Sequence, residues 1–109
     1  MQHRTAADLT EYHAPKHFRM RALRIHGFDE DGSKLKVGLS HFLPGGGAER
    51  GSSPVERLYI VLSGEITVMA GGTEVTLKAM DSCHIPAGEE REVVNRSDAV
   101  ASMLVVMPK

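Results

Sequence analysis

The spacing of turn signals constrains this chain most. From residue 17 onward, short β-rich runs are cut at brief intervals by turns containing glycine, proline or aspartate. No stretch sustains a 3.6-residue apolar period over the length of an ordinary helix. His17 to Ile25 alternates, with Phe18, Met20 and Ala22 on one side and Arg19, Arg21 and Leu23 on the other. Gly27 to Ser33 is rich in turn formers. Leu35 to Leu43 reads as the next strand, with Val37, Leu39, His41 and Leu43 sharing a face. Pro44-Gly-Gly-Gly47 stops that strand and leaves residues 44–54 as the longest loop. The runs 57–63, 65–70, 73–78, 82–85, 91–95 and 101–107 complete about eight strands, with Gly71-Gly72 supplying the positive φ of a tight hairpin. This pattern predicts an all-β sandwich or barrel.

A chain of 109 residues has one domain's length and keeps much of its surface in water. Residues 1–16 read as an N-terminal arm in which Thr5 or Asp8 could cap a helical turn, and residues 17–109 as a single barrel domain. Thirteen Lys and Arg against fourteen Asp and Glu give a formal net charge of −1, which argues for neither nucleic acid nor an anionic membrane as partner. Cys83 is the sole cysteine, so no internal disulfide forms and a reducing compartment is expected. The first residues lack the apolar run of a secretory signal, and the longest apolar stretches, such as 58–62, are too short to span a bilayer. The expectation is a soluble cytoplasmic protein. Leu58, Ile60 and Leu62, on the outward side of their strand, suit a homodimer.

Residues 38–95 resemble the cupin superfamily, in particular its small single-domain members of the Cupin_2 type. Pro44-Gly45 looks like the turn that opens the first cupin motif, and Leu58 to Glu65, anchored on Gly64, like its second half. Leu77 to Gly88, with Pro86-Ala-Gly88, looks like the start of the second motif, and Asn95 falls at its end. The resemblance implies a jelly-roll barrel, also called a double-stranded β-helix. It also implies a metal held by two histidines, a glutamate and a third histidine. Counting from Gly64 and Gly88, those positions are Arg50, Ser52, Arg57 and Arg91. Guanidinium is always protonated and offers no lone pair. A divalent ion in such a site wants imidazole or carboxylate donors. The resemblance therefore implies a barrel without the usual metal, and no cofactor is expected. Inward-facing arginines would favour carboxylate, phosphate or sulfate.

If strand alternation follows the cupin family, the resemblance implies that Arg57 points inward with Tyr59 and Val61; the ordinary reading is an ion pair at the rim with Glu56, Glu65 or Glu90. Arg91 follows Glu89 and Glu90 and either answers them or reaches the barrel. His41 is expected to point into the barrel, as a hydrogen-bonded core residue or as a functional group. One of Cys83 and His84 faces in, and the sequence leaves open which. Cys83 reads as a small buried hydrophobe rather than a nucleophile.

The favoured expectation is a small-molecule-binding cupin. Arg57 and Arg91 would orient an anionic or polar ligand, Tyr59 and His41 would supply hydrogen bonds, and Val61, Val93 and Met103 would form apolar walls. The alternative is an enzyme. Without metal, His41 or Glu56 would act as general base in isomerase, cyclase or lyase chemistry. With a divalent metal at a displaced site built from His41, Glu49, Glu56 and His84, oxygenase chemistry would follow. A ligand-free structural or interaction domain is the third reading.

Overall fold

A computed structural model describes residues 1–29 and 32–109. Glu30 and Asp31, part of the turn expected at 27–33, lie outside the described residues. The strands are β1 (Thr10–Tyr12), β2 (His17–His26), β3 (Leu35–Gly51), β4 (Arg57–Ser63), β5 (Glu65–Ala70), β6 (Thr73–Lys78), β7 (Ser82–Ile85), β8 (Arg91–Val94) and β9 (Ala101–Pro108). All pairings are antiparallel, in the order β6-β5-β8-β3-β9-β4-β7, with β2 also on β3 and β1 on β2. The sheet curls into a nearly closed barrel of the jelly-roll class. Among the described residues no helix is long and apolar enough to cross a membrane.

The strand expected to stop at Pro44 does not stop. β3 runs for 17 residues through Pro44-Gly-Gly-Gly47 and changes partners on the way. Its first half pairs with β9, from Leu35↔Pro108 to Phe42↔Ala101; its second half pairs with β8, from Gly47↔Val94 to Gly51↔Arg91. The glycines are what the crossing requires. A Cβ on Gly46 would sit 2.1 Å from the Arg19 carbonyl oxygen, and one on Gly47 would sit 2.0 Å from that of Val93. A run that reads as a strand breaker is here a strand pressed between two neighbours.

The interior is filled by Phe42, Val61, Ile66, Val68, Val93 and Met103, all essentially sealed from solvent. Asn95 is fully buried among them. Its Nδ2 donates to the carbonyls of Phe42 (3.0 Å) and Ala99 (2.8 Å), and its Oδ1 accepts from the Ser97 amide (3.0 Å), so the motif's last residue staples a loop to β3.

The N-terminal arm does more than lie on the surface. Residues 6–8 form a single 3-10 turn in which the Asp8 carboxylate accepts from the Thr5 amide at 2.8 Å. β1 then adds a strand, Thr10↔Arg24 to Tyr12↔Ala22. Tyr12 lies 5.0 Å from the Phe28 ring, and Arg24 stacks over both.

Candidate functional site

Strand alternation on β4 puts Arg57, Tyr59 and Val61 inward and Leu58 and Leu62 outward. Arg91 and Val93 do the same from β8. Arg57 and Arg91 are each only 7% exposed. The Arg91 Nε donates to the Tyr59 hydroxyl at 2.8 Å, and its Nη1 donates to the Glu49 carbonyl at 2.9 Å. The Arg57 guanidinium lies 6.0 Å from the centre of the same Tyr59 ring. Its Nε and Nη2 are buried with no hydrogen-bond partner among the described residues. Arg57 makes no ion pair with Glu56, Glu65 or Glu90 among the described residues: Glu56 bonds His84 at 3.0 Å and Glu90 bonds Arg50 at 2.7 Å. Nor does Arg91 answer Glu89 or Glu90.

These three side chains line one cavity of about 180 Å³. Phe42, Val93, Met103 and Val105 give it apolar walls; Tyr12, Pro15 and His17 close it from the arm side. Val61 belongs to the core beneath rather than to the cavity wall. Lys36 also lines it, with its ammonium 5.2 Å from the Phe28 ring centre. Lys36, Arg57 and Arg91 therefore face the space, and no Asp or Glu among the described residues does. Burial pulls the Arg57 guanidinium below its ordinary value; Tyr59 opposes the shift and Arg91 adds to it.

His17 was not among the residues singled out from sequence, yet it lines the cavity. Its Nδ1 is 2.8 Å from the Pro15 carbonyl, which fixes the ring and leaves Nε2 as the other ring nitrogen. Burial holds its pKa below the ordinary histidine value. The Pro15 hydrogen bond works against this, and the charges of Arg91, Arg57 and His13 reinforce it. The pairing His17↔Ala48 brings it to the barrel, a contact between residues far apart in the chain.

His41 is corrected. The inward residues of β3 are Gly38, Ser40 and Phe42; Val37, Leu39, His41 and Leu43 face outward. His41 lies outside the cavity with its Nδ1 2.7 Å from the Ser102 hydroxyl. The side chain is not among those lining the cavity. Glu56 is exposed and bound to His84, and it does not line the cavity either. Of Cys83 and His84, Cys83 is the inward one; burial pushes its thiol pKa up, as expected of a small packed side chain. The displaced metal site does not assemble. Glu56 and His84 pair on the outer surface, His41 pairs with Ser102, and Glu49 is exposed. No group of three His, Cys, Asp or Glu suited to a metal occurs among the described residues.

The cupin-domain family model, Cupin_2, matches residues 38–107. A relative from Mycobacterium tuberculosis, named "Beta-D-galactosidase Rv1717", is 37% identical over 103 residues, covering 94% of this chain and 89% of its own. The chain belongs to the Cupin_2 family. Among solved structures, this cupin is similar to the polyketide cyclase RemF of Streptomyces resistomycificus, with a TM-score of 0.86 at 17% identity over 99% of this chain and 79% of that one. It is also similar to the cupin-2 domain Rru_A2000 of Rhodospirillum rubrum, with a TM-score of 0.80 at 17% identity over 99% and 74%. A third likeness, to a predicted oxalate decarboxylase of Thermotoga maritima, has a TM-score of 0.80 at 17% identity over 95% and 96%. These three likenesses concern the fold.

The residues of this cupin do not fit the family's metal. Arg57 and Arg91 present donors where a metal needs acceptors. Arg50, at a third position, is exposed and paired with Glu90. A bulge between Ala48 and Gly51 turns that stretch away from the barrel.

Proposed function

We propose that this cupin binds a small oxyanion-bearing molecule inside its barrel. The observation that carries the reading is the unpartnered, buried guanidinium edge of Arg57. A buried donor without a partner costs free energy, and burying a charge without a counter-charge costs more. Such a group persists where function requires it, and a carboxylate is the planar partner that matches the fork. Arg91 contributes positive potential and holds Tyr59. The Tyr59 hydroxyl accepts from Arg91 and keeps its own proton for the ligand.

The test is thermal stabilisation by small carboxylates. The wild-type protein is expected to shift, while Arg57→Ala and Arg91→Ala lose most of the shift. Equal shifts in all three proteins would refute an arginine-held anion.

The mycobacterial relative's name supports a second reading, hydrolysis of a β-D-galactoside. Most glycosidases need two carboxyl groups flanking the bond, and none lines the cavity among the described residues. We therefore rank it second. Turnover of an aryl β-D-galactoside that disappears in Arg57→Met would reverse the ranking.

A further inference from the structure

We infer that the ligand is an amphipathic monocarboxylate, with one carboxylate head and an apolar body short enough to fit the barrel. This rests on the oxyanion reading above and names the class of molecule. The two free donors of Arg57 are Nε and Nη2. Those two N–H groups point to the same side of the guanidinium and form its side-on fork, which accepts the two oxygens of one carboxylate. The other donors named above offer no second free fork among the described residues. Arg91 spends Nε on Tyr59 and Nη1 on Glu49, and Lys36 sits over Phe28. A second anionic group would find no comparable free edge.

The rest of the cavity argues for an apolar body. Phe42, Val93 and Met103 are buried core residues that surface only into this space, and Val105 and Met107 continue the wall along β9. A phosphate would press its remaining charged oxygens against these groups, and a sugar would leave most of its hydroxyls unpaired. At roughly 30 Å³ per water in the liquid, and somewhat less per bonded carbon, about 180 Å³ holds about six to ten non-hydrogen atoms. That is the size of a medium-chain or phenyl-substituted acid.

The experiment is calorimetric titration of the full chain with hexanoate, phenylacetate, acetate, hexanamide, inorganic phosphate and D-galactose. Hexanoate or phenylacetate is expected to bind at least about tenfold tighter than acetate, phosphate, galactose or hexanamide. Arg57→Met removes binding of every anion. Met107→Ser, at the half-buried end of β9, weakens hexanoate more than it weakens acetate. Acetate or phosphate binding as tightly as hexanoate, through Arg57, overturns the amphipathic ligand and keeps the oxyanion site. Binding of no anion, or anion binding indifferent to Arg57→Met, overturns the site itself.

Discussion

Arg57 and Arg91 reach the same cavity in opposite states. Arg91 is tied to the Tyr59 hydroxyl and the Glu49 carbonyl, whereas Nε and Nη2 of Arg57 are buried with no partner among the described residues. The two arginines therefore contribute to stability with opposite signs.

Replacing Arg57 by methionine removes an uncompensated charge and refills its volume. The ligand-free protein is expected to gain about 1–3 kcal/mol, because each unsatisfied buried group costs on that order. For a chain of this size that is a rise of several degrees, about 4–8 °C per kcal/mol, in a thermal melt. The same protein loses carboxylate binding. A melting temperature below wild type would mean that Arg57 has a partner in solution.

Arg91→Met is expected to act the other way. It strands the buried Tyr59 hydroxyl and the Glu49 carbonyl, at a cost of about 1–3 kcal/mol measured by urea unfolding. Tyr59→Phe tests the same bond from the other end. In a double-mutant cycle, the two substitutions should cost clearly less together than the sum of their separate effects.

His17 predicts a pH dependence. Its folded-state pKa is held below the ordinary value, chiefly by burial and further by Arg91, Arg57 and His13. The unfolded chain therefore binds the proton more readily, and its share of stability is present above the ordinary histidine pKa and lost as pH falls through the folded value. An anion in the cavity raises the His17 pKa, so carboxylate affinity should strengthen from about pH 7.5 to about pH 5.5 while the ligand stays ionised. His17→Gln should flatten both profiles. A wild-type affinity independent of pH over that range would exclude His17 from the cavity's electrostatics.

Gly46→Ala and Gly47→Ala test the strand crossing. Each new Cβ meets a backbone carbonyl oxygen at about 2 Å, which neither neighbouring strand can yield cheaply. Losses of about 3 kcal/mol or more are expected, or failure to fold. Gly72→Ala, with no heavy atom within 4 Å of its Cβ, is the contrasting case, where only the positive φ is strained.

β4 was legible in the sequence because it is regular. Alternation, read with the cupin resemblance, put Arg57, Tyr59 and Val61 on one inward face, as the structure has them, whereas Arg91 was left open between the rim and the barrel. β3 misled for a physical reason. From Lys36 to Ser40 its more apolar face, with Val37 and Leu39, is the outer one, while the inner face carries Lys36, Gly38 and Ser40. The rule that the apolar face is the inner face fails where a strand's inward positions are small or charged and its outward ones are greasy. Gly46 and Gly47 read as a stop because their purpose, closeness to β2 and β8, depends on partners remote in sequence. His17 was missed on the same grounds.

The pairing of β9 between β3 and β4 sets an order on assembly. During synthesis, residues 35–63 emerge with two open strand edges that only residues 101–108 can fill. Nascent chains thus expose two unpaired hydrogen-bonding rims for the whole interval, a window in which strand-to-strand association between neighbouring ribosomes competes with closure. Slowing translation after residue 63 should favour aggregation rather than give the barrel time to form.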